Sequence, residues 1–216
     1  MPATELAADG FPQRLAKALP DVLTAAVFVW VWIDPTGWRR QLVAQGILIM
    51  LLEFVLIHSG AFFGSALLAP DMARGKRIKT LLGLGAFYAL FVGAWAWQFR
   101  TWWPLLIFAW LLAAKLAPLI VNRRVPRESL WRQQGLVAAS TLFFLLAVPA
   151  GLFLPLPELG LNRHGRHYGV PGSGAWVSNP HTAIAAAVIY FGLLALAKLL
   201  AWDTAFARNA RRQGGE

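Results

Sequence analysis

Four side chains with acid–base chemistry stand inside stretches that are otherwise apolar: Glu53, His58, Tyr88 and Lys115. Glu53 is the most demanding of them. It falls eleven positions after Leu42 in an apolar block that runs to Ala69, so on a helix it lies about 16 Å along the block. A carboxyl at that depth of a bilayer costs roughly 2.5–3.5 kcal/mol on insertion scales, so it must turn toward neighbouring helices or water. Withdrawn from water, a carboxyl favours its neutral form, which makes Glu53 a candidate proton carrier. The competing role is a protonated acid that ties two helices through a hydrogen bond. His58 follows five residues later, about 140° around the helix, so it cannot pair with Glu53 and instead shares a face with Ala61 and Ser65. An imidazole suits a proton relay near neutral pH, and equally a neutral ring satisfied by a neighbouring helix. Tyr88 lies about 12 Å, and Lys115 about 20 Å, along their own blocks, so depth allows all four to meet in one buried polar site. Lys115 has another option: its face carries Phe108, Leu111 and Leu119, and its amine can snorkel to the nearer interface. Lys198, close to the end of the last block, is expected to snorkel too.

No set of residues points to a catalytic centre or a cofactor. His164 and His167 stand at i and i+3, and His181 could add a third ligand. Gly165 between the first two disfavours a helix, however, so these three are weak metal candidates and no metal is expected. The chain has no Cys, which removes disulfides, thiolate ligands and Cys nucleophiles together. Pro171-Gly172-Ser173-Gly174 lacks the spacing of a phosphate loop, and no Gly-x-Ser-x-Gly elbow stands in the right context. An intramembrane enzyme is therefore the third-ranked reading, and no cofactor is expected.

The elements that would hold these residues are read from the apolar blocks. In 216 residues, 58% are hydrophobic and only 14% charged. That charged share is about half of what soluble domains carry, and blocks of about 20 apolar residues match a bilayer core of roughly 30 Å. The expected fold is an all-α transmembrane bundle forming one domain over 1–216. Its spans are placed at 12–33, 42–69, 80–98, 102–121, 135–156 and 182–202, with a Gly- and Pro-rich outer loop at 157–181. The first block is the shortest: Val22 to Ile33 alone reach about 18 Å, so five spans plus a re-entrant or interfacial first helix is the alternative. The turn Asp34-Pro35-Thr36-Gly37 ends it. Pro20 and Pro149 fall inside spans as expected kinks, and Asn179-Pro180 reads as the cap and first residue of the last helix. Small residues mark close packing: Gly46, Gly60 and Gly64 around Glu53, then Gly85, Ala89 and Gly93, then Ala109, Ala113 and Ala117. The last stripe places Leu111 on the lipid side.

The basic residues set the orientation. Thirteen Lys and Arg fall on the side of the termini and five on the other, which puts both termini in the cytoplasm of a multi-pass cell-membrane protein. The Arg- and Ala-rich composition suggests a bacterial inner membrane. The net charge of +10 sits in short loops, where it suits anionic headgroups rather than nucleic acid. Eight of the eleven Trp map to the opposite boundary, as interfacial anchors. No early apolar segment ends in a cleavage site, so no signal peptide is expected. Two functional classes lead: transport or permeation through a buried Glu/His site, and a non-catalytic accessory or assembly subunit. A homo-oligomer or a membrane-protein partner fits either.

Overall fold

The structure is a computed structural model and describes residues 10–35, 41–69, 71–121, 127–162 and 168–202. Seven α-helices follow one another: α1 (Phe11–Ile33), α2 (Leu42–Leu68), α3 (Arg74–Gln98), α4 (Trp103–Ile120), α5 (Arg127–Phe153), the short α6 (Ala175–Ser178) and α7 (Pro180–Leu199). A 3-10 turn at Leu159–Asn162 precedes α6. Among the described residues there is no strand, and six helices are long and apolar enough to cross a membrane.

Local chemistry explains the ends. Gly10 opens α1 by accepting from the Gln13 N–H at 3.0 Å, while its own N–H donates to the Gln13 side chain at 3.2 Å. With Pro12 in the first turn, the helix then runs unbroken for 23 residues through Pro20. At 1.5 Å per residue that is about 34 Å, so length no longer argues for a re-entrant first segment. α7 starts at Pro180 as expected, but Asn179 makes no side-chain cap. The Thr182 hydroxyl donates to the Asn179 carbonyl instead, at 2.8 Å.

Two helices begin earlier than their apolar blocks. α3 starts at Arg74, not near residue 80, because its basic first turns serve the ends of its neighbours. Arg77 donates to the carbonyls of Ala66 and Ala69 at the end of α2, and Arg74 to that of Ile120 at the end of α4. These carbonyls lack partners within their own helices and carry the negative end of the helix dipole. α5 likewise extends back to Arg127.

The helices enclose two apolar cores that share α2. In the larger, Phe28 and Val31 of α1, Ile47 and Met50 of α2 and Phe143 and Phe144 of α5 close on Ile184 and Phe191 of α7. In the smaller, Leu52, Val55 and Phe63 of α2 meet Leu81 and Val92 of α3 and Phe108 and Leu116 of α4. A helix that faces both cores needs apolar residues all around, which α2 has. α7 is laced with buried alanines at 183, 185, 186, 187, 195 and 197, and these let α1 and α5 approach it closely.

The glycine stripe of α2 does lie at helix contacts. A Cβ on Gly46 would stand 2.9 Å from Ile184 of α7 and Phe28 of α1, while Gly60 and Gly64 face Val137 and Gln134 of α5. Gly85 of α3 is pressed against Leu112 of α4, whereas a Cβ on Gly93 would meet nothing within 4 Å. The expected faces of α4 are reversed. Ala109, Ala113 and Ala117 are exposed, and Phe108, Leu112 and Leu116 point to the bundle. Bulk decided this: α4 is a peripheral helix with one neighbouring hairpin arm, and its large side chains fill the space over α2 and α3.

Candidate functional site

Glu53 is partly buried on α2, and its carboxyl reaches across to α7, where the Tyr190 hydroxyl donates to Oε2 at 3.0 Å. Tyr190 is 1% exposed, so this hydrogen bond sits inside the bundle. Aromatic neighbours fix the phenol: Phe144 of α5 meets it edge-on at 5.5 Å between ring centroids, and Phe191 does so at 4.9 Å. Ser140 of α5 lies beside the same hydroxyl. Three helices thus converge on one carboxyl.

A second polar pair lies below it. Lys198 Nζ bonds Asp21 Oδ2 at 2.5 Å, joining α7 to α1. Asp21 is 8% exposed, one of three buried polar residues with Ser59 and Thr182 among the described residues. Lys198 follows Tyr190 by eight residues, a rise of about 12 Å along α7. Asp21 and Lys198 nevertheless lie close enough to act electrostatically on Glu53. The expectation that Lys198 snorkels is thereby corrected: a buried carboxylate on α1 offers its ammonium a better partner than the headgroup layer.

The other sequence candidates go elsewhere. His58 is exposed on α2; its Nδ1 lies 2.8 Å from the Phe54 carbonyl and its ring packs tilted against Phe54 at 4.1 Å between centroids. Tyr88 is buried in the smaller core, edge-on to Phe87. Lys115 lies half-buried on α4, level with the inward-facing row of Phe108 and Leu116. Among the described residues, no hydrogen bond or ion pair joins Glu53 to His58, Tyr88 or Lys115. Depth along a helix permitted that meeting, but the azimuth of each helix determines which side chains meet. Of the weak metal candidates, His164 and His167 lie outside the described residues, and His181 is half-buried in the first turn of α7. No group of three His, Asp or Glu among the described residues is placed to hold a metal ion.

Tyr190, Ser140, Asp21 and Lys198 were not legible as partners of Glu53. One signal was present: Asp21 and Lys198 are opposite charges inside apolar blocks, and such groups within spans pair with one another. The opposite rim holds several tryptophans, among them Trp30, Trp32, Trp97, Trp102 and Trp103. Trp32 donates to the Pro157 carbonyl and Trp103 to Gln45 Oε1, each at 2.9 Å, while Trp30, Trp97 and Trp102 are exposed. No family model, curated protein or solved structure matches this chain.

Proposed function

We propose that this chain is a multi-pass membrane protein, with both termini cytoplasmic, that carries out proton-linked transport or permeation through Glu53. The observation that carries this reading is the Tyr190–Glu53 hydrogen bond inside the bundle, with the Asp21–Lys198 pair about a dozen ångströms along α7 toward the side of the termini. Intramembrane ionisable groups that face a bundle interior mark ion or proton pathways. Here they occupy one half of the bundle. Beyond Glu53, toward the tryptophan rim, the larger core is closed by Phe28, Val31, Ile47 and Ile184. The polar pair at the inner end supplies access for a proton, Glu53 carries it, and the apolar half is the barrier that a conformational step must open. Basic loops on the cytoplasmic side attract anionic headgroups.

The test is proton movement in reconstituted vesicles carrying a pH-sensitive dye. Glu53→Gln keeps the shape and the acceptor for Tyr190 but cannot take up and release a proton as a carboxyl does. The expected result is a correctly folded variant with proton movement abolished, and Tyr190→Phe reduced but not silent. Wild-type proton movement in Glu53→Gln would overturn the reading and leave the carboxyl as a structural tie.

A second reading, an accessory or assembly subunit, is favoured by the outward stripe of Ala109, Ala113 and Ala117 beside Trp110, which is 75% exposed. Small residues on an outer helix face let another transmembrane helix approach closely. Mass measurement of the protein in mild detergent separates the readings, since a stable partner or second copy is required only by the second.

A further inference from the structure

We infer, on the reading of Glu53 as a proton carrier, that Asp21 is a second proton-bearing residue of the same site: the two carboxyls share one proton and the ammonium of Lys198.

Charge balance sets that count. Glu53 on α2, Asp21 on α1 and Lys198 on α7 lie within electrostatic reach of one another. An ionised group withdrawn from water and left unpaired changes its protonation instead of keeping its charge. Two acids and one ammonium reach zero net charge with one proton on one of the acids. The other groups around them do not alter the sum. Tyr190 supplies a donor without a charge, and α5 contributes the hydroxyl of Ser140. Lys17, one turn before Asp21 on α1, is exposed, so its charge is not withdrawn from water.

Two arrangements satisfy the sum, and the structure holds one of them. Lys198 bonds Asp21, so Asp21 is the ionised acid and Glu53 keeps the proton while accepting from Tyr190. In the other, the ammonium pairs with Glu53 and the proton sits on Asp21. Lys198 can serve both. Side chains on a helix lean toward its start, which for Lys198 is the direction of Tyr190 and Glu53, and its flexible four-carbon stem lets the ammonium turn between the acids. Its side chain is 25% exposed against 11% for Asp21, and it stands next to the last residue of α7, so protons enter the cluster from that end. A proton taken up there forms an O–H bond at Asp21 and releases the ammonium. The ammonium then pairs with Glu53, whose own O–H bond breaks and whose proton leaves. One proton enters, one departs, and the net charge is the same before and after.

The test counts protonated carboxyls by infrared spectroscopy on the full-length protein in an alkyl maltoside, which has no carbonyl of its own. At neutral pH exposed acids, which titrate at about 4, are ionised and do not contribute to the count. One protonated carboxyl per chain is expected in the wild type and none in Glu53→Gln. Asp21→Asn frees the ammonium for Glu53, so the count should fall to none. Lys198→Met leaves two acids and no cation, so it should rise to two, and Asp21→Asn with Lys198→Met should restore one. No protonated carboxyl in the wild type, an unchanged count in Asp21→Asn, or a count of one in Lys198→Met would each overturn the inference. If Lys198→Met does not fold, Asp21→Asn, which keeps the size of the acid, still decides. None of these counts requires proton movement across a membrane. Wild-type flux in Glu53→Gln would therefore end the transport reading with the counts intact, whereas wrong counts would end only the sharing of the proton.

Discussion

Asp21 and Lys198 show what an apolar helix bundle does to a charge. Each alone would be expensive there; together they form a contact between α1 and α7 with little exposure on the carboxylate side. Removing one partner strands the other, which costs more than the pair is worth. Asp21→Ala should therefore destabilise the protein by about 2–3 kcal/mol, and Lys198→Met by a similar amount. The double variant should recover most of the loss, because no charge is left unpaired. Thermal unfolding in detergent measures this cycle, and additive losses in the double variant would show that the pair is not coupled. The same logic gives Tyr190 its value: the phenol supplies Glu53 with a donor without adding a second charge to the core.

At the scale of the helix, contacts depend on how closely two backbones approach. Gly151 of α5 faces the Thr182 carbonyl and Ala186 of α7, so an added Cβ there meets backbone and not a flexible side chain. Gly151→Leu should cost about 1–3 kcal/mol or prevent assembly of α5 on α7. Gly83 of α3 faces open space, and Gly83→Ala should be neutral or stabilising by about 0.5–1 kcal/mol through helix propensity. Comparing the two by thermal unfolding checks which glycines serve contacts. α4 supplies the sharper test. Ala113 is exposed and Leu116 is buried, so Ala113→Leu should be tolerated and Leu116→Ala should cost about 2 kcal/mol or more. The reverse order would mean that the alanine stripe is the packed face after all. Small-residue spacing alone suggested that it was; spacing shows that a face permits close approach, not that a neighbour uses it.

For the whole molecule, alternation of six long helices places the ends of α2, α4 and α7 on one rim with the starts of α1, α3 and α5. Arg74 and Arg77 bond helix-end carbonyls on that rim, while Trp32 and Trp103 are hydrogen-bonded on the other. The proposed orientation, which follows the positive-inside rule, puts the first rim in the cytoplasm. Because the chain has no Cys, Lys76→Cys and Ser173→Cys each give a single reporter at an exposed position. An impermeant thiol reagent added outside intact cells should label Ser173→Cys and leave Lys76→Cys protected. The opposite pattern would invert the orientation and move the proton access to the outer face.

The sequence by itself determined the six long helices and their order, though not the early starts of α3 and α5 or the short α6. Apolar runs of sufficient length, turn residues such as Asp34-Pro35 and the Asn179-Pro180 start act over a few residues, so the spans could be placed from local chemistry. It also singled out Glu53, because a carboxyl inside an apolar run violates the local pattern wherever the helix packs. It could not supply the partners. Glu53 and Tyr190 are 137 residues apart, and Asp21 and Lys198 are 177 apart, so only the rotation of α1, α2 and α7 about their axes determines that these side chains meet. That rotation is set by bulk and backbone approach across the cores: the alanines of α7 admit α1 and α5 together, and Gly46 admits Phe28 and Ile184. In lipid, where apolar surface on either side of a helix is equally well solvated, hydrophobicity fixes depth but cannot fix azimuth. The tertiary structure therefore decided which face of α4 packs and where Lys198 turns.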